Sequence, residues 1–173
     1  MIMGFCFRTA FWLYEPYFTH VGIEVAWFGA IFFGYNIVAA LTAKYLAHRH
    51  DNQRLVLLGL MLLMAVSFLG PALIAAPWGI GVIGLQQIVR GIYKPVLNAY
   101  LNDQIEDQYR ATVISVVGVA GSLSFALLSP LVGISLDAYG TLWTYAWMGA
   151  VMTAGMLVMA VASKGMKKDG SIR

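Results

Sequence analysis

Charge is scarce in this sequence. Only 11% of its 173 residues are Asp, Glu, Lys or Arg, while 60% are hydrophobic; soluble domains carry about 25% charged residues. So thin a polar coat excludes an ordinary water-soluble globule and points to a lipid bilayer as the solvent. Cysteine is almost absent too. The single thiol, Cys6, has no partner for an internal disulfide, and its apolar neighbours make it a small buried hydrophobe. Catalytic signatures are missing: the chain has no HExxH, no GxSxG and no Ser, His and Asp set that could share one depth. No catalytic residue, metal or cofactor is therefore expected. The first residues lack a basic lead and a small-residue cleavage site, and they contain Arg8, Glu15 and Pro16. That excludes a signal peptide and reads as a spanning helix whose cytoplasmic lead-in is missing.

Cations are also missing from alternate connections. Six apolar stretches are long enough to cross a hydrocarbon core of about 30 Å; they lie near 3–22, 25–47, 54–75, 78–100, 110–136 and 141–163, followed by a tail over 164–173. The expected fold is an all-α membrane protein with six transmembrane helices. Lys44, Arg49 and Arg54 surround the second connection, Lys94 and Arg110 flank the fourth, and Lys164, Lys167, Lys168 and Arg173 fill the tail; the other connections have neither Lys nor Arg. By the positive-inside rule both termini are cytoplasmic, in a cell (inner) membrane, and the acidic cluster Asp103, Glu106 and Asp107 does not count against this. Trp27, Trp78 and Trp143 fall at the outer interface, where amphipathic rings rest. The net charge of +3 thus concerns topology and anionic lipid, and no nucleic-acid partner is expected.

Against this apolar background the polar residues stand out. The fourth stretch carries Gln87, Arg90, Lys94 and Asn98, which fall within an arc of roughly 80° on a helix, with Gly91 on the same side. An arginine at mid-membrane costs roughly 2.5–3.5 kcal/mol on insertion scales, so it faces a bundle interior or a watery cavity. This face either lines a path for a polar solute or forms a buried network that ties helices together. The first stretch repeats the pattern: Arg8, Glu15 and Thr19 lie within about 40° of one another, with Pro16 weakening the helix beside the carboxylate. Arg8 and Glu15 are about 10 Å apart along the axis, so each needs a partner on another helix. Glu15 is either a site of proton uptake and release or a carboxylate solvated at the outer interface.

Other motifs have plainer readings. His48-x-His50-Asp51 has the letters of a metal site, but histidines two apart diverge on a helix, and a solvated cluster is expected. Gly79-x-Gly81-x-x-Gly84 spells a dinucleotide fingerprint, yet it opens a membrane span, where glycines serve close packing. The fifth stretch has a ridge of small residues, Ala111, Ser115, Gly118, Ser122, Ala126, Ser129 and Gly133, suited to tight packing, to sliding or to lining a cavity, with Pro130 bending its outer end. The third stretch, without charge from Leu55 to Ala75, is expected to be structural, and the Met-rich sixth is assigned no chemistry.

Gly91-x-x-x-Pro95, Tyr100 to Asp107, Tyr109-Arg110-Ala111-Thr112 with Ser115, and Pro130-Leu131-x-Gly133-x-x-x-Asp137-x-x-Gly140 together resemble the tenth and eleventh helices of the major facilitator superfamily. Arg8 to Gly22 resembles that family's seventh helix, and Asn36 to Gly59 its eighth helix, loop and ninth; the loop 43–49 departs from the pattern by lacking the usual glycine and aspartate. The resemblance implies one half, the C-terminal one, of a twelve-helix bundle whose substrate site lies between two six-helix lobes. It further implies alternating-access transport of a small molecule, with a missing N-terminal half or a second copy of the chain as partner. Arg90 and Gln87 would then contact substrate or a coupling carboxylate, with Lys94 and Asn98 on the same face. Arg8 would hold an anionic group or brace the bundle, and Glu15 would carry a coupling proton. Ser115, Gly118, Ser122, Gly133 and Asp137 would serve packing and gating. Efflux is one possible direction, and a non-transporting assembly protein that kept the half-fold is the alternative.

Overall fold

The computed structural model describes residues 2–46 and 52–169. Helix α1 (Ile2–His20) closes with a Schellman arrangement: Ile23 N–H donates to Phe18 C=O at 2.9 Å and Gly22 N–H to Thr19 C=O at 3.1 Å. Gly22 has a φ of 76°, the left-handed conformation this cap requires and glycine adopts without a Cβ penalty. A short 3-10 turn (Val25–Trp27) then leads into α2 (Phe28–Leu46). Helix α3 (Gln53–Ile74) starts at Asn52, whose side chain accepts from Leu55 N–H at 3.2 Å, a standard way of satisfying an orphan donor. Helix α4 runs from Gly79 to Gln104, past the expected end at 100.

The last element, α5 (Asp107–Asp169), breaks at Gly140, where φ is 81° and ψ 176°. This backbone region is essentially open to glycine alone. The break reverses the chain: Trp147 Nε1 donates to Ser135 Oγ at 2.8 Å, although twelve residues of straight helix would separate the two by about 18 Å. Ser135 and Thr144 hydroxyls, 2.9 Å apart, pin the same corner. Residues 107–139 and 141–169 are called the first and second arms, and helix continues to Asp169, beyond the expected limit of 163.

The core lies where α1 and α3 meet the second arm. Tyr145 is fully buried, with its ring 5.3 Å from Tyr17 and 5.7 Å from Phe68, and its hydroxyl donates to Leu13 C=O at 3.2 Å. Helices come close wherever glycine removes a side chain. A Cβ on Gly149 would lie 2.5 Å from Leu69 of α3, and one on Gly91 only 2.6 Å from the Ala39 carbonyl oxygen of α2. Of the Gly79, Gly81 and Gly84 set, Gly79 sits under the Tyr17 hydroxyl and Gly84 against the Tyr35 ring, while Gly81 is open. Gly79 and Gly84 therefore act as packing residues.

Three segments are long and apolar enough to cross a membrane: Val25–Leu46, Gln53–Ile74 and Gln108–Val161, the last spanning both arms. Helices α1 and α4 are not among them, because they hold Arg8, Glu15, Arg90 and Lys94 together with several amide side chains. The architecture is thus all-helical over the described residues, with Arg8 and Glu15 inside α1 and Arg90 and Lys94 inside α4, two helices set among more apolar ones. Trp27, Trp78 and Trp143 are all exposed at helix connections, as interfacial rings should be.

Candidate functional site

On α4 the polar arc divides into a buried end and an open end. Gln87 is buried, whereas Arg90, Lys94 and Asn98 are exposed. The Gln87 amide donates through Nε2 to the Tyr14 hydroxyl of α1 at 2.9 Å and accepts through Oε1 from Arg90 Nη1 at 3.4 Å. Arg90 Nη1 also donates to Asn36 Oδ1 of α2 at 3.1 Å. Asn36 is oriented by its own Nδ2, which donates to Phe32 C=O at 2.7 Å. A chain of hydrogen bonds thus runs Tyr14, Gln87, Arg90, Asn36 and joins three helices. It exists because Gly91 lets α2 and α4 approach backbone to backbone one residue from Arg90, and because Tyr35 of α2 donates to Ile80 C=O of α4 at 2.7 Å.

A second connection starts on α1. Arg8 Nη2 donates to Ser122 Oγ on the first arm at 2.9 Å, and Ser122 in turn donates to Gly118 C=O at 3.0 Å. Ser122 is 15 residues from the start of that arm and 18 from Gly140, about 22 and 27 Å respectively at 1.5 Å per residue. The guanidinium of Arg8 is therefore held near mid-arm. Arg8, Glu15 and Thr19 are all exposed on one side of α1, together with Phe11 and Trp12. Glu15 has no hydrogen-bond partner among the described residues.

Both arginines are oriented by neutral groups. Ser122 holds Arg8, Gln87 and Asn36 hold Arg90, and among the described residues no carboxylate pairs with either. Such partners fix direction without removing charge, so the exposed face keeps a positive potential. Lys94 and Asn98 extend the face along α4 at four-residue spacing, each exposed and without a hydrogen bond among the described residues.

The first arm presents its small residues outward. Ser115, Gly118, Gly133 and Asp137 are exposed, and a Cβ built on Gly118 or Gly133 would meet nothing within 4 Å. Close approach of this arm to α1 uses Gly121, which lies 3.7 Å from a Cβ on Gly4, beside the ridge residue Ser122 that accepts from Arg8. Arg110 Nη2 donates to Asn102 C=O at 3.4 Å and so ties the start of the arm to the last turn of α4, where cations complement unpaired carbonyls. The motif His48, Arg49, His50 and Asp51 lies outside the described residues. Among those described, no three His, Cys, Asp or Glu side chains converge as a metal site would need.

Two participants are not evident from the charged pattern alone: Tyr14 and Asn36. Asn36 had a signal, as the one strongly polar residue inside an otherwise apolar span. Tyr14 had none, because an aromatic residue one position from Glu15 reads as core until a neighbouring helix supplies Gln87.

A family model described as the Major Facilitator Superfamily matches residues 1–170. The chain belongs to the major facilitator superfamily. No curated protein and no solved structure matches it. As a member it is a membrane protein of a transport family, and the stretches that carried the resemblance have visible roles. In this superfamily chain Gly91 sets the α2–α4 contact, Arg110 caps α4, and the run Gly133, Asp137, Gly140 leads into the reversal between the arms.

Proposed function

We propose that this chain is one lobe, the C-terminal one, of a secondary carrier that works by alternating access, with a small-molecule site between it and a second lobe. The partner lobe is a missing N-terminal half or a second copy of the chain. Both termini are cytoplasmic, in a cell membrane. Arg90, oriented by Gln87 and Asn36, contacts substrate, with Lys94 and Asn98 extending the contact surface. Glu15 carries a coupling proton, and Ser115, Gly118, Ser122, Gly133 and Asp137 form the surface along which the lobes rock.

The observation that carries this reading is the exposed face itself. Arg8 and Arg90 stand on two helices, held by neutral hydrogen bonds and open on their outer side. Charge at mid-membrane faces protein or a wet cavity and not hydrocarbon, so a second lobe supplies the opposite wall.

Cysteine labelling tests it. Cys6 is buried and gives a silent background. Single cysteines at Arg90, Lys94 and Asn98 should react with a membrane-impermeant thiosulfonate in intact vesicles, at least tenfold faster than cysteines at exposed, apolar Leu62 and Val66 of α3. Equal, slow reaction at all five positions would mean that the α4 face looks into lipid and that there is no crevice. In an assembled carrier, Glu15→Gln and Arg90→Gln should abolish coupled transport with membrane insertion intact.

A further inference from the structure

A cleft between α1 and the first arm begins immediately beyond the Arg8–Ser122 hydrogen bond. It has a volume of about 390 Å³ and is lined by Thr9, Trp12 and Leu13 on one wall and by Phe125, Val132 and Gly133 among others on the second. Thr9 is the residue after Arg8, and Phe125 lies one helical turn beyond Ser122. The lining is mostly apolar; Ser129 also lines it, with its hydroxyl donating to Ala126 C=O at 3.4 Å, and two further features depart from oil-like packing. Thr9 Oγ1 is buried and has no hydrogen-bond partner, and Gly133 leaves open space where any other residue would put a side chain. The cleft is not part of the Tyr14–Gln87–Arg90–Asn36 chain, which lies toward α2 and α4.

We propose that this cleft is a binding site for a single-chain amphiphilic anion, a carboxylate or sulfonate head on a medium-length aliphatic tail. The head pairs with Arg8, and the tail lies between α1 and the first arm. Charge complementarity fixes the sign of the head: Arg8 is a fork of donors held at one nitrogen by a neutral hydroxyl, with no carboxylate beside it among the described residues, and a planar anion completes that fork. The orphan hydroxyl of Thr9, adjacent in sequence, is a further donor for the head. Shape fixes the tail. The lining residues of the first arm, Phe125 to Leu136, cover about 16 Å of helix, and the volume is at the small end of the roughly 300–1,000 Å³ range of ligand sites. That suits one chain and not the two chains of a membrane phospholipid. The site stands on the geometry around Arg8 and does not require the carrier reading.

The test uses the full chain in nanodiscs of neutral lipid and a decanoate bearing a diazirine at its tail end. Photolabelling should map to Trp12 and to the segment 125–136, and excess unlabelled decanoate should suppress it. Arg8→Gln should reduce labelling at least tenfold, and a decyltrimethylammonium probe with the same diazirine should label at least tenfold less. Gly133→Leu, which fills open space without displacing a neighbour, should remove labelling with the fold retained. Labelling that is equal for the two head charges, or unchanged in Gly133→Leu, is partition into the bilayer and overturns the inference. So does suppression by phosphatidylglycerol without suppression by decanoate. Binding is read without transport, so a chain that labels in the cleft yet moves nothing supports this site and counts only against the carrier reading.

Discussion

At Arg90 one nitrogen serves two acceptors, Gln87 Oε1 and Asn36 Oδ1, and the remaining donors face outward. The side chain is aimed but not neutralised, which is what a residue that meets ligand charge requires, since a resident carboxylate would compete. Tyr14 anchors the chain from below by accepting from Gln87. Tyr14→Phe removes that acceptor and leaves a buried amide donor unpaired. The expected cost is about 0.6–1.7 kcal/mol, the span found for interhelical hydrogen bonds in membranes. It should appear as a lowered unfolding midpoint in detergent. Gln87, Arg90, Lys94 and Asn98 were legible as one face from spacing alone, because helical periodicity fixes which residues share a side. Their division into a buried anchor and an exposed tip was not legible, since that depends on where α1 and α2 lie.

At the scale of elements, glycine sets which helices touch. Gly91 is the critical contact: a Cβ there would be 2.6 Å from the Ala39 carbonyl oxygen and 2.9 Å from the Ala43 nitrogen, and backbone cannot move aside as a flexible side chain can. Gly91→Ala should therefore push α2 from α4, cost about 1–3 kcal/mol, and break the Arg90–Asn36 hydrogen bond. Gly81→Ala, at a position with nothing within 4 Å, is the matched control. It should leave the melting temperature unchanged or slightly raised, since alanine is the better helix former. Equal destabilisation by both substitutions would contradict the packing described. The sequence pattern marked Gly79, Gly81 and Gly84 as packing residues without saying which of them pack, and it did not mark Gly91 as one. The reversal at Gly140 was likewise marked by Gly133, Asp137 and Gly140, and the positive φ explains why the last must be glycine.

Over the whole molecule, α1 is joined to each arm by a different device. The second arm meets it through buried aromatic packing around Tyr17 and Tyr145, whereas the first arm meets it through the exposed hydrogen bond from Arg8 to Ser122 and a cleft. The first contact is buried, and the second, close at Gly4 and Gly121, opens into the cleft beyond Arg8. Ser122→Ala should therefore loosen only the second. Spin labels at exposed Thr19 and Ile134 should show a broader distance distribution in double electron–electron resonance, while labels at Thr19 and Trp143 should not change. Broadening in both pairs would mean that Ser122 supports the whole bundle and is not a local tie.

What the sequence determined by itself was the solvent and the distribution of polarity. Scarce charge, long apolar runs and the exceptional standing of Arg8 and Arg90 inside such runs follow from transfer free energies of single residues, which need no knowledge of neighbours. Tertiary structure decided everything that depends on which helices meet: that Tyr14 supports Gln87, that Asn36 aims Arg90, that Ser122 rather than a carboxylate holds Arg8, and that a cleft opens beside it. Helical period assigns a residue to a side of its own helix, but only packing assigns that side a partner, and a hydrogen bond needs both ends.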